Sequence, residues 1–186
     1  MLHGGSKVHM IVIMAGLPGT GKSTLAQELA LRLPGAVLDK DAIRASLFEP
    51  PYIEYSLAQD DFCGEVMLQT AAYLLSKHAE LKVLLDGRTF SWRYQRDRVI
   101  EFSAHVKTTW AILECVCSEA TALRRIGDAM AANSHLAANR TAELYREIRK
   151  AWEPIDQPKL IIDTDENVES CVDLAVRYLT AQTFLA

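Results

Sequence analysis

The stretch Met10-Ile11-Val12-Ile13-Met14-Ala15 runs without a break into Gly16-Leu17-Pro18-Gly19-Thr20-Gly21-Lys22-Ser23. The first part is continuously apolar with branched side chains, the composition of a parallel strand buried on both faces. The second part fits G-x-x-x-x-G-K-[ST] at every required position. Glycines let the backbone curl so that successive N–H groups face inward around phosphate oxygens. A helix beginning near Lys22 adds its positive N-terminal end. Lys22 reaches the outer phosphates of a bound nucleotide, and the Ser23 hydroxyl suits Mg²⁺.

Outward from this loop, strand and helix patterns alternate. Leu25, Leu29 and Leu33, with Ala26 and Ala30, mark an amphipathic helix over Lys22–Leu33 that Pro34-Gly35 stops. Ala36–Asp39, Lys82–Asp86, Lys107–Val116 and Lys159–Asp163 read as further strands. Ala42–Phe48, Leu57–His78, Arg93–Phe102, Glu119–Ala132, Thr141–Trp152 and Val168–Leu179 read as helices, the last capped by Asn167. This alternation predicts an α/β fold: one domain over 1–186 with a parallel sheet covered by helices on both faces. Residues 1–8 read as a loose leader, and 129–140 hold a polar connector between two helices.

The 186 residues are 49% hydrophobic and 24% charged, which is globular composition and argues against disorder. A net charge of −4 gives no general attraction to nucleic acid or anionic membrane. No segment approaches the roughly 20 apolar residues that span a bilayer. The four cysteines form no paired Cys-x-x-Cys zinc pattern and read as reduced core residues, so a cytoplasmic setting is expected.

The second strand leads into Asp39-Lys40-Asp41-Ala42-Ile43-Arg44. Loops at the carboxyl ends of parallel strands line the functional cleft, so this segment should face the phosphate loop. Asp41 is either a plain helix N-cap or a base that orients an acceptor hydroxyl, with Arg44 one turn on as its companion.

Gly16–Ser23 followed by Asp41-Ala42-Ile43-Arg44 resembles the small P-loop kinase group that includes phage polynucleotide kinase, zeta toxins, chloramphenicol phosphotransferase and gluconate kinase. The likeness extends over Tyr55-Ser56, Leu84-Leu85-Asp86-Gly87, Leu123-Arg124-Arg125 and Ile162-Asp163-Thr164. It implies a five-stranded sheet of order 2-3-1-4-5, as in nucleoside-monophosphate-kinase-like proteins. It also implies an ATP site on Gly16, Leu17, Pro18, Gly19, Thr20, Gly21, Lys22, Ser23 and Thr24, with the base near Thr164–Asn167. Mg²⁺ would lie near Ser23 and Asp86, although Asp86 also reads as a plain strand-end residue. Asp41 would be the catalytic base and Arg44 an acceptor ligand. A lid arginine would neutralise the transferring phosphate, with Arg124, Arg125 and Arg140 as equal candidates. Arg88 departs from the group, where a small or apolar residue is usual.

The expected activity is therefore ATP-dependent transfer of a phosphate to a hydroxyl of a small molecule. A zeta-toxin-like or polynucleotide-end kinase is the enzyme alternative, and the acidic balance disfavours long nucleic acids. A nucleotide-binding regulatory module without transfer is the alternative of another class. Arg93, Arg96 and Arg98 read as a solvated helix face, and Asp60-Asp61 as residues near a helix start.

Overall fold

The computed structural model describes residues 9–132 and 141–182. Five parallel strands form one sheet of order β2-β3-β1-β4-β5, as expected. They are β1 (Met10–Ala15), β2 (Gly35–Asp39), β3 (Lys82–Asp86), β4 (Thr109–Val116) and β5 (Leu160–Asp163). The helices between and after them are α1 (Lys22–Arg32), α2 (Lys40–Leu47), α3 (Leu57–Lys77), α4 (Arg93–His105), α5 (Glu119–Ala131), α6 (Ala142–Lys150) and α7 (Val168–Gln182). The connector residues 133–140, Arg140 among them, lie outside the described residues.

β1 is the central strand and every residue of it is fully buried. Its alternate side chains feed two different cores, as the two-residue period of a strand requires. Met10, Val12 and Met14 pack with Leu25 and Leu29 of α1 and with Val172, Ala175 and Leu179 of α7. Ile11, Ile13 and Ala15 face Met67 and Ala71 of α3 and Val99 and Phe102 of α4. A third, small cluster of Ala122, Ile126 and Tyr145 joins α5 to α6 beside Leu17.

The chain passes from β1 to one side of the sheet, returns through β3, and then crosses over to β4. The carboxyl end of β1 is thus the point where the strand order reverses, the usual ligand position in such sheets. Asp39 caps α2: its Oδ1 accepts hydrogen bonds from the backbone N–H of Asp41 (2.7 Å) and Ala42 (3.2 Å). The N-cap of α2 is therefore Asp39, and Asp41, two residues later, is not the cap.

One expectation fails. Arg96 does not solvate a helix face: it is wholly buried and donates to the carbonyls of Phe90 (2.8 Å) and Pro154 (2.9 Å). It ties the loop after β3 to the segment before β5, and burial pushes its pKa down.

Gly87 follows β3 with φ +77°, and a Cβ there would come within 2.5 Å of Asp39 Oδ1 and 2.7 Å of the Lys40 nitrogen. Gly87→Ala should therefore cost about 1–3 kcal/mol through positive-φ strain and a damaged α2 cap. Urea unfolding with an unchanged slope and a lowered midpoint is the expected result.

Candidate functional site

The phosphate loop leaves β1 between the ends of β3 and β4. Gly16 N–H donates to the Thr89 carbonyl (3.1 Å), which ties the loop to the β3 side. Gly19 and Gly21 take φ values of 77° and 76°, the left-handed conformation that glycine tolerates best. Thr20 Oγ1 donates to the Leu17 carbonyl at 2.8 Å, closing the turn from within. Lys22 Nζ donates to the same carbonyl at 2.8 Å, so its ammonium stands over the curl of the loop. Ser23 and Thr24 occupy the first turn of α1.

On the β5 side, Thr164 Oγ1 lies 3.0 Å from the Thr20 carbonyl. Arg125 donates to Thr164 Oγ1 (3.0 Å), to the Thr164 carbonyl (2.8 Å) and to the Gly19 carbonyl (3.4 Å). Arg125 and the loop thereby share one wall of a cavity of about 340 Å³, completed by Thr164, Glu166, Val168 and Cys171. Arg124 points elsewhere: it is largely exposed and pairs with Asp128 at 3.5 Å. Of the two described lid candidates, only Arg125 adjoins the phosphate loop.

Asp86 ends β3 opposite Asp39 of β2. Among the described residues its Oδ1 is buried without a hydrogen-bond partner. A buried carboxylate oxygen left unpaired is costly, and a cation or a cation-bound water would satisfy it. Asp86 thus has an oxygen suited to a hard metal ion, and Ser23, in the first turn of α1, is its candidate companion. No group of three or more His, Cys, Asp or Glu among the described residues suits a metal by itself. A Mg²⁺ held with substrate phosphates and water needs only one or two protein ligands.

The second cavity, of about 360 Å³, is lined by Pro18 of the loop together with Lys40, Asp41, Arg44, Asp60 and Arg88, and walled by Leu144 and Ile148 of α6. Asp41 and Arg44 are buried and joined at 2.8 Å. Lys40 Nζ lies 3.2 Å from Asp41 and 2.8 Å from Asp60. Asp60 also pairs with Arg44. Two carboxylates and two cations thus alternate in one buried network, and each charge has an opposite neighbour, as burial of charge demands. The Tyr55 ring covers Arg44, with the guanidinium carbon 5.1 Å from its centroid. Tyr55 itself holds φ 50°, uncommon for a bulky residue and typical of constrained sites.

Sequence reading passes over Lys40; it places Asp60 and Asp61 near a helix start, with the acceptor pocket of the resembled group close by, and notes Arg88 as a departure from that group, without the pairs they form. A signal existed for Asp60. It precedes Cys63 and Met67 by three and seven positions, so it continues the buried stripe of α3 with a carboxylate. The thiols near the loop are inert by comparison: burial pushes Cys115 up to about 12, and Cys117 and Cys171 are also raised by burial.

No helix among the described residues is long and apolar enough to cross a membrane. No curated protein is similar enough to the chain to count as a relative. Among solved structures, a presumed kinase from Chloroflexus aurantiacus superposes with a TM-score of 0.70 at 23% identity, covering 92% of this chain and 98% of its own. The Mycobacterium tuberculosis APS kinase CysC, bound to AMPPNP and APS, gives 0.67 at 18% identity, covering 93% and 98%. A Sinorhizobium meliloti gluconokinase gives 0.67 at 15% identity, covering 96% and 94%. At these identities the likeness establishes the fold they share. The AAA-domain family designated AAA_33 matches residues 11–154, most of the chain, including the phosphate loop, Asp41, Arg44 and Arg125, and the protein belongs to that family.

Proposed function

We propose that the protein transfers the γ-phosphate of ATP to a hydroxyl of a small acceptor, with Asp41 as the base. The observation that carries this reading is that one phosphate loop borders both cavities, through Gly19, Gly21, Lys22 and Ser23 on one side and Pro18 on the other. Pro18 of the phosphate loop lines the same pocket as Asp41 and Arg44. The Asp41 carboxylate is also released from capping by Asp39. The fold is shared with an APS kinase and a gluconokinase, which supports nucleotide-dependent transfer to a small molecule.

In this mechanism the backbone N–H groups of the loop, with Lys22 and Arg125, hold the phosphates and offset charge on the transferring group. Ser23 and Asp86 would hold a Mg²⁺ ion, which would supply further neutralisation of the phosphate oxygens. Asp41 accepts a hydrogen bond from the acceptor hydroxyl and takes its proton as the new oxygen–phosphorus bond forms. The bond to the β-phosphate bridging oxygen breaks, and ADP departs with the electron pair. Arg44 and Lys40 both hold Asp41 Oδ1, so the orientation of the carboxylate is set before the acceptor arrives. Unpaired thiols, three of them buried, fit a reducing cytoplasm.

ADP release with Mg²⁺–ATP across a panel of sugars, nucleosides, aminoglycosides and 5′-hydroxyl oligonucleotides tests the reading. Asp41→Asn should keep nucleotide binding and lose acceptor-stimulated release by at least about 10²-fold. Lys22→Ala should lose nucleotide affinity as well. Full turnover in Asp41→Asn would remove Asp41 as the base. ATP binding with no stimulation by any acceptor, and a stable protein partner, would favour a regulatory module.

The two arginines separate cleanly. Arg125→Ala should lower kcat/KM by about 10²-fold or more, because it removes a cation from the loop and from Thr164. Arg124→Ala should stay within about twofold of the parent, as expected for an exposed pair. Equal effects of the two substitutions in steady-state assays would reverse the assignment.

A further inference from the structure

Between α3 and α4 lies a third cavity, the largest of those described here at about 480 Å³. Its floor is Met67, Leu68, Leu85, Phe90 and Val99, all buried. Arg88 and Gln95 line both this cavity and the Asp41 pocket, so the two spaces adjoin across those side chains. The Arg88 side chain is only 9% exposed, and it pairs with Asp61 at the rim. Tyr94 closes the clamp: its hydroxyl lies 3.2 Å from Asp61 and 3.4 Å from Arg88 Nη2. A Cβ at Gly64 would come within 3.0 Å of Arg88 Nη1, so glycine at 64 makes room for the guanidinium. Among the described residues the buried Arg88 Nε has no hydrogen-bond partner.

These features describe a ligand path. Asp41 marks the hydroxyl end and the Arg88 Nε marks a hydrogen-bond donor midway. The apolar floor marks an end large enough for a ring. The cations along the path are already matched: Lys40 and Arg44 by Asp41 and Asp60, Arg88 by Asp61, and Arg98 by Glu65, while Asp97 and Glu101 add further carboxylates to the lining of the third cavity. A phosphate or carboxylate on the acceptor would have to displace one of these carboxylates and lie against it.

We infer that the acceptor is a neutral alcohol carrying an apolar ring or chain, which passes Arg88 and lodges between α3 and α4. This inference rests on the phosphotransfer reading for its hydroxyl end, but the apolar end is a property of the cavity alone. Arg88 is thereby a specificity-determining residue, donating from Nε to a neutral oxygen of the acceptor.

Methyl NMR of the full chain without nucleotide tests this, with 3-phenyl-1-propanol, 1-propanol and 3-phenylpropanoate as probes. The phenyl alcohol should shift the Met67, Leu68, Leu85 and Val99 methyls saturably. Its Kd should be at least about tenfold below that of propanol, because a ring leaves water. The carboxylate should bind no tighter than the alcohol. Val99→Phe fills the cavity and should erase the phenyl preference while ATP still binds. Leu68→Phe serves the same purpose if Val99→Phe lowers the melting temperature. No added affinity from the ring, shifts mapping to another surface, or a preference that survives filling would overturn the proposal. A carboxylate bound tenfold tighter would overturn the neutral class. Phenyl preference without transfer to any alcohol would keep the cavity assignment and defeat the kinase reading; transfer to alcohols without that preference would do the opposite.

Discussion

Strand β1 is buried on both faces along its whole length, and this constraint organises everything around it. A strand with no solvent side needs a paired neighbour at each edge and a helix layer above and below. β3 and β4 supply the edges, and α1 with α7 and α3 with α4 supply the layers. The chain then has to leave the core at Gly16 in a single step. The curl of backbone that results carries its N–H groups to the one place where the sheet changes direction. Under the proposed function, phosphate affinity at that place comes from the exit route, with the side chains of Lys22, Ser23 and Arg125 refining it.

The Lys40–Asp41–Arg44–Asp60 network has a different origin. Buried ion networks contribute little net stability, because desolvation offsets most of the attraction. Apolar residues would fill the same space at no greater cost. Under the proposed function the network earns its position by holding one carboxylate in a single orientation beside the phosphate loop. Asp39 makes this possible by capping α2 itself. Gly87 makes it possible by letting the end of β3 lie against that cap.

Much of this was legible in the residues, and the illegible parts share a cause. The buried run Met10–Ala15, the glycine spacing and the alternation of periods are local signals, and each matches an element of the structure to within a few residues. The strand order followed from resemblance, since hydrophobic patterning says nothing about which strands are neighbours. Asp39 and Asp41 are two plausible caps two residues apart, and only the backbone geometry decides between them. Arg124 and Arg125 differ by about 100° of helix rotation in a segment whose apolar stripe is short, so phase could not be read. Arg96 is found at the core because two carbonyls from distant loops receive its guanidinium. The Arg88–Asp61 and Lys40–Asp60 pairs likewise span 27 and 20 residues. Asp60's place on the buried stripe of α3 is the one periodic trace of these contacts, and it does not name the partner.

β2 has five residues and β5 only four. Each border strand presents unpaired N–H and C=O groups to its outer side, the usual template for adding another chain. So short a row offers an incoming strand only a few ladder bonds. Pro34 stands immediately before β2, and the Lys159–Glu114 ion pair sits at the start of β5. The wholly buried strands β1 and β3 are kept inside the sheet, and the short, partly exposed rims offer another chain little to pair with.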